Sequence, residues 1–93
     1  MLTQLSQLYR NLSHTLSGAK FVLEVEAGGI RLRKGKMLNR LLREIQEIIS
    51  KHEVASGWIR GFEGGGFTRW EFSADIPSAL HQNLRNVLCG VDQ

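Results

Sequence analysis

The sequence is poor in cysteine, and its apolar runs are short. It has one cysteine in 93 residues, which excludes an intrachain disulfide and gives no sign of secretion. Its longest apolar runs fall far below the roughly 20 residues of a membrane span. The N-terminus lacks the basic stretch and solid apolar run of a signal peptide. We therefore expect a cytoplasmic protein without a membrane span.

Catalytic and metal-binding patterns are also missing. His14, His52 and His81 fall on different predicted elements, without the i, i+4 spacing of a helical metal site. Cys89 has no positional sign of a paired base, so the pattern favours a small buried hydrophobe over a nucleophile. The glycines within residues 61–66 are not followed by the Lys-Ser/Thr of a phosphate-binding loop. We expect no enzymatic activity, no cofactor and no bound metal.

The composition of the sequence is that of one globular domain with an excess of basic over acidic residues. Apolar residues make up 42% of the chain and charged residues 23%, which suits a single domain with one core. The net charge of +3 permits contact with nucleic acid, but many soluble domains that bind none carry as much. Charge alone therefore does not identify a partner.

Helical spacing predicts an amphipathic helix over residues 1–17. Apolar side chains recur there every three or four residues with polar residues between them, at Leu2, Leu5, Tyr9, Leu12 and Leu16. Ser17 and Gly18 form a suitable stop. Because so short a helix is unstable alone in water, it must bury its leucines on its own domain or on a partner. We favour packing on its own domain; a homodimer formed through this helix is the alternative.

Residues 20–90 are predicted to form one α+β domain, in which a β-hairpin followed by a helix occurs twice. The hairpins show period-two alternation around glycines, and the helices are expected over residues 36–51 and from Asp75 and Pro77 to Gly90. The simplest arrangement is a four-stranded antiparallel sheet with both helices packed on one face. The other face must then be polar, covered by the N-terminal helix, or used for binding.

The first hairpin predicts its own charge pairing. A two-residue turn at 28–29 sets Glu26 opposite Arg31 and Glu24 opposite Arg33. This pairing compensates part of a basic cluster that would otherwise suit phosphate contacts. The cluster consists of Arg31, Arg33, Lys34, Lys36, Arg40 and Arg43. Any phosphate-binding patch would therefore centre on Lys34, Lys36, Arg40 and Arg43.

The second hairpin, over residues 58–63 and 67–73, has two alternative registers. A two-residue turn at Gly64 and Gly65 would make Phe62 face Phe67 and Arg60 face Arg69. One face would then carry an aromatic and arginine surface of the kind that stacks bases, formed by Trp58, Arg60, Phe62, Phe67 and Arg69. A three-residue turn would instead bury most of the aromatics. We favour the core interpretation, because burying aromatics is a main source of stability in so small a domain.

The C-terminal half also resembles a small uncharacterised family of bacterial proteins. The resemblance is carried by Ile59-Arg60-Gly61, the glycine turn, and the run Phe72-Ser73-Ala74-Asp75-Ile76-Pro77, with Gln82, Leu84, Arg85 and Asn86 further on. It implies a bacterial origin and a hairpin–helix plan, and it brings no activity and no site residues. Members of that family often begin with a transmembrane helix, whereas the N-terminal segment here is polar and amphipathic.

Together these observations favour a non-enzymatic binding or assembly module that associates with itself or with another protein. The alternative is nucleic-acid binding through the arginines and aromatics on the outside of the second hairpin, helped by Lys34, Lys36 and Arg40.

Overall fold

The fold follows the predicted order of a hairpin and a helix, twice. The structure, a computed structural model, describes residues 18–27 and 29–92. Its elements are β1 (Phe21–Glu26), β2 (Gly29–Lys34), α1 (Asn39–Lys51), β3 (Gly57–Gly64), β4 (Phe67–Phe72), α2 (Ser78–Leu88) and a short 3-10 helix (Cys89–Asp92). The α+β class and the four-stranded antiparallel sheet are confirmed. The helix predicted over residues 1–17 lies outside the described residues.

The sheet has the strand order β2-β1-β3-β4, so its two central strands come from different hairpins. β1 and β3 pair antiparallel along five residues each, from Phe21 opposite Gly61 to Val25 opposite Gly57. β1 is the most apolar strand and is buried along its first five residues. A strand with this composition is best placed in the middle of the sheet, where neighbours on both sides satisfy its backbone groups.

The register predicted for the first hairpin is wrong by two residues. Glu24 pairs with Arg31, and Glu26 pairs with Gly29, so the two residues between the strands are 27 and 28. The error leaves the faces unchanged, because side chains alternate with period two along a strand. The charged residues of the two strands therefore still share one side of the sheet.

The second hairpin turns at Gly65 and Gly66, which have φ values of +62° and +94°. A two-residue turn with positive φ at both positions matches the twist of a β-hairpin. Phe62 lies opposite Arg69, and Arg60 lies opposite Glu71, so the predicted pairs are again shifted by two. The three-residue alternative is wrong, and so is the interpretation that most of the hairpin aromatics are core residues.

Both helices pack on the same face of the sheet. Their inward residues meet those of β1, β3 and β4 in one cluster, whose most buried members include Leu23, Ile45, Ile59, Leu84 and Leu88. Apolar residues recur every three or four positions in the helices and every second position in the strands. Each element therefore has one apolar side, which faces this cluster. Of the hairpin aromatics, Trp70 lies in the cluster and Phe72 packs against it.

Both helices begin later than the sequence predicts. α1 begins at Asn39 and not at residue 36, so Leu38 precedes the helix and is 63% exposed. α2 begins at Ser78 with Pro77 at the N-cap position and no side-chain cap, so Asp75 lies outside the helix that was predicted to start there. Proline strongly restricts the residue before it to extended conformations, which delays the helix.

Asp92, in the 3-10 helix, covers part of the exposed edge of β4. Its carboxylate accepts hydrogen bonds from the Thr68 backbone N–H (3.0 Å) and the Thr68 hydroxyl (2.8 Å). These bonds, the backbone one foremost, lower the pKa of Asp92 below its ordinary value. Occupying an edge N–H in this way discourages pairing with another strand.

The lowered pKa of Asp92 has a testable consequence. A depressed carboxyl pKa stabilises the fold above the unfolded-state value, about 3.9, and this contribution is lost as the pH falls through the folded-state value. We expect Thr68→Val to raise the pKa of Asp92 towards its ordinary value, as followed by NMR titration of the carboxyl carbon. Thr68→Ser keeps the hydroxyl and is the control. An Asp92 pKa that is the same in both variants would contradict the prediction.

Candidate binding surface on the outer face of the sheet

The face of the sheet opposite the helices is the candidate site, and we call it the outer face. Alternation along the paired strands brings eleven side chains to it: Val22, Glu24, Glu26, Arg31, Arg33, Trp58, Arg60, Phe62, Phe67, Arg69 and Glu71. Two different hairpins therefore contribute to one continuous surface. Five of these residues were predicted to form a recognition surface in the two-residue turn alternative, and the structure brings all five to the same face.

The start of β3 is held in place by Ser73, at the end of β4. The buried Ser73 hydroxyl accepts a hydrogen bond from the Trp58 backbone N–H (3.0 Å), and the Ser73 N–H donates to the Trp58 carbonyl (3.0 Å). These two bonds fix the backbone of Trp58 at the boundary of the sheet. The Trp58 side chain is thereby directed to the outer face beside Glu24, its partner on β1.

Arginine side chains lie over the aromatic rings of the outer face. The Arg60 guanidinium carbon lies 3.8 Å from the centroid of the Trp58 ring, and that of Arg69 lies 4.9 Å from the centroid of Phe62. Both distances suit cation–π contacts. Partial burial lowers the pKa of Arg60 from its ordinary value, with the nearby Glu71 carboxylate acting in the opposite direction. Each pair therefore presents a guanidinium group together with an aromatic ring on the outer face.

Carboxylates compensate much of this positive charge. Arg33 contacts Glu24 through Nε (3.2 Å) and Glu26 through Nη2 (3.1 Å), and Arg31 lies 3.7 Å from Glu26. Charge compensation of the first hairpin is confirmed: both predicted pairs, Glu26 with Arg31 and Glu24 with Arg33, form despite the shifted register, and Arg33 adds a contact to Glu26. On the second hairpin, Arg69 contacts Glu71 through Nη1.

The remaining predicted site residues do not all join the outer face. Lys34 lies exposed at the end of β2, on the edge of the sheet, where it flanks Val22 of the outer face. Lys36 and Arg40 line pockets beside the helices, on the other side of the molecule. The residues after β2 turn towards the helix layer, so sequence proximity to Arg33 does not carry these two cations to the outer face.

A second surface feature was missed by the sequence analysis. A pocket of about 360 Å³ lies between the start of α1 and the C-terminal 3-10 helix, lined by Phe21, Lys36, Met37, Leu38, Leu41, Gly90 and Val91. Its signal in the sequence was the apolar pair Met37-Leu38, which lies just before the start of α1. Cys89, predicted to be buried, is exposed nearby, and its thiol donates to the Asn86 carbonyl.

Two further findings concern the described ranges, 18–27 and 29–92. No three histidine, cysteine, aspartate or glutamate side chains in them are grouped as a metal ion would require. Neither helix in them combines the length and apolarity needed to cross a membrane.

Comparison with known proteins places the chain in a family. No curated protein and no solved structure matches it. A protein family described as "Protein of unknown function (DUF3634)" matches residues 6–91, which is nearly the whole chain. The chain therefore belongs to this family of proteins of unknown function.

Proposed function

We propose that the protein is a non-enzymatic binding or assembly module whose outer face binds protein, either a second copy of the chain or another partner. The observation that carries the proposal is the aromatic and arginine surface of the second hairpin, where two rings each carry an arginine. Aromatic and arginine side chains are enriched at the centres of protein interfaces, because they bury a large area and still form polar contacts.

The exposed end of this surface is the best candidate for its centre. Phe67 is 62% exposed on the outer face, beside Phe62 and Arg69. Among the described residues only Leu38, on the other side of the molecule, is a comparably exposed large apolar side chain. A contiguous apolar group bordered by arginines favours docking more than a scattered apolar residue does.

The balance of charge favours a protein partner over nucleic acid. The outer face carries four arginines and three glutamates, and its ion pairs join most of them. Nucleic-acid affinity depends on cations that neutralise phosphates and release counterions. Binding of single-stranded nucleic acid is the second candidate, favoured by the half-buried rings of Trp58 and Phe62 on which bases could stack.

Two matched substitutions test the proposal. We expect sedimentation velocity to show the average mass of the wild-type protein rising with concentration. Phe67→Ser should weaken this association at least about tenfold, as expected for an aromatic anchor at an interface. Leu38→Ser removes an equally exposed apolar side chain elsewhere and should leave the association unchanged.

Each other outcome points to a different conclusion. Association lost in Leu38→Ser but kept in Phe67→Ser would assign the interface to the pocket beside α1. A strict monomer at high concentration would reject self-association. Fluorescence anisotropy with a labelled single-stranded oligonucleotide tests the second candidate: salt-sensitive binding that Arg60→Ala and Arg69→Ala weaken together would support it over a protein partner.

A further inference from the structure

The centre of the outer face is buried, although both described helices lie on the other side of the sheet. Val22 is 0% exposed and Glu24 is 6% exposed, and both belong to the outer face by their alternation with the core residue Leu23. Side chains on a sheet stand roughly perpendicular to it, so strand neighbours flank a valine but leave its tip open. The burial of Val22 is what a layer above the sheet would produce.

The chain enters the sheet at a point from which residues 1–17 can reach this face. The Lys20 N–H donates to the Gly61 carbonyl (2.7 Å), and Ala19 is 0% exposed, so the path is fixed from Ala19 onwards. Gly18 has a φ of +75°, the left-handed conformation that commonly follows the last residue of a helix. The preceding segment is therefore attached beside Phe62, at one end of the central strands.

The length and pattern of the segment suit the outer face. A helix over residues 2–16 would be about 22 Å long, close to the length of about 20 Å of the six-residue β1. Its leucine and tyrosine stripe is apolar, and Arg10 is the only lysine, arginine, aspartate or glutamate within residues 2–16. Such a stripe can cover Val22 and the Trp58 ring without bringing a buried unpaired charge with it.

We infer that residues 2–16 dock on the outer face of their own chain as an amphipathic helix lying over Val22, Glu24 and Trp58. Phe67, at the hairpin end, stays open, as its exposure requires. This inference goes beyond the proposed function: the docked segment would cover the Trp58 end of the outer face and leave the Phe67 end for a partner. The pocket beside α1 is the competing location, but its Leu38 is left exposed.

Cross-linking within the full chain tests the inference. In a Cys89→Ser background, one cysteine replaces Tyr9, in the middle of the apolar stripe, and another replaces Arg60. A short bismaleimide reagent is used, which tolerates a wider separation than a disulfide does. We expect an intramolecular cross-link, identified by peptide mass spectrometry in the monomer band.

Two controls separate docking from chance encounter. Gln7→Cys lies on the polar side of the predicted helix, and its pairing with Arg60→Cys should give a several-fold lower yield. The pair Tyr9→Cys and Leu38→Cys should also give a several-fold lower yield, because it reports on the pocket beside α1. Circular dichroism of each variant checks that the fold is retained. If Arg60→Cys unfolds the protein, Lys34→Cys takes its place, because Lys34 also lies beside Val22.

The remaining outcomes overturn the inference. Equal yields for Tyr9→Cys and Gln7→Cys would show that the segment does not present its stripe to the sheet. A dominant cross-link to Leu38→Cys would place the segment in the pocket. Cross-linked dimers without an intramolecular product would make a second copy the occupant. These results do not depend on whether Phe67 mediates association, so failure here is distinguishable from failure of the proposed function.

Discussion

Replacing Gly61 with alanine is expected to lower the free energy of unfolding by about 1–3 kcal/mol, the usual cost of overpacking a core. A Cβ atom at Gly61 would lie 2.7 Å from Cζ3 and 2.9 Å from Cη2 of Trp70, and 3.0 Å from Cγ2 of Thr68. Trp70 is buried and packs on the Phe21 ring, with the two centroids 5.5 Å apart. The indole therefore has little room to move, and urea denaturation measures the loss.

Gly64→Ala is the matched control, on the same strand three residues away. Nothing lies within 4 Å of the Cβ that it would add, and its φ is outside the left-handed region. We expect no loss of stability, or a gain of up to about 1 kcal/mol from the lower entropy of the unfolded chain. Equal destabilisation by both substitutions would mean that strand glycine in general, rather than contact with Trp70, sets the cost.

Leu84→Ala is expected to lower the free energy of unfolding by about 2–5 kcal/mol, as measured by urea or thermal denaturation. Leu84 is 0% exposed in the middle of α2 and belongs to the cluster that joins both helices to the sheet. The substitution removes the packing of a whole isobutyl group and leaves a cavity that rigid neighbours fill only in part. In a domain of this size such a loss is a large share of the total stability.

Leu38→Ala provides the contrast, because it makes the same chemical change where the side chain is 63% exposed. We expect a change within about 0.5 kcal/mol, as for surface positions in general. A large loss from Leu38→Ala would show that the pocket beside α1 is a closed part of the core. A small loss from Leu84→Ala would show that the helix layer is loosely packed.

Much of the candidate surface can be predicted from the sequence, since alternation is a local property. The two-residue turn alternative groups Trp58, Arg60, Phe62, Phe67 and Arg69 correctly, despite choosing the wrong glycine pair. Preference for the core was misleading because a small domain has other residues to fill its interior. Here Ile59, Trp70 and the helix leucines already fill it, which leaves the outer aromatics for another use.

The separation of the basic residues could not be predicted from spacing. Lys36 and Arg40 follow Arg33 closely in sequence, but the chain turns towards the helices between them, so they line pockets on the opposite side. The pocket lined by Leu38 could not be predicted from the sequence for a related reason. A helical stripe predicts which side chains share a side, but the first residue of a helix depends on local backbone geometry and capping.

The sequence by itself determined the order of the described elements and which side chains share a side within each of these strands and helices. Those assignments depend on the periods of 2 and 3.6 residues, which hold within one element whatever surrounds it. Only the tertiary structure decided the registers, the side of the second hairpin that faces the core, and the central pairing of β1 with β3. A slip of two residues keeps every apolar side chain on its side, so the hydrophobic pattern cannot distinguish these registers. Turn geometry and close contacts do distinguish them, because each fits only one register. The packing of Trp70 against Gly61 is one such contact.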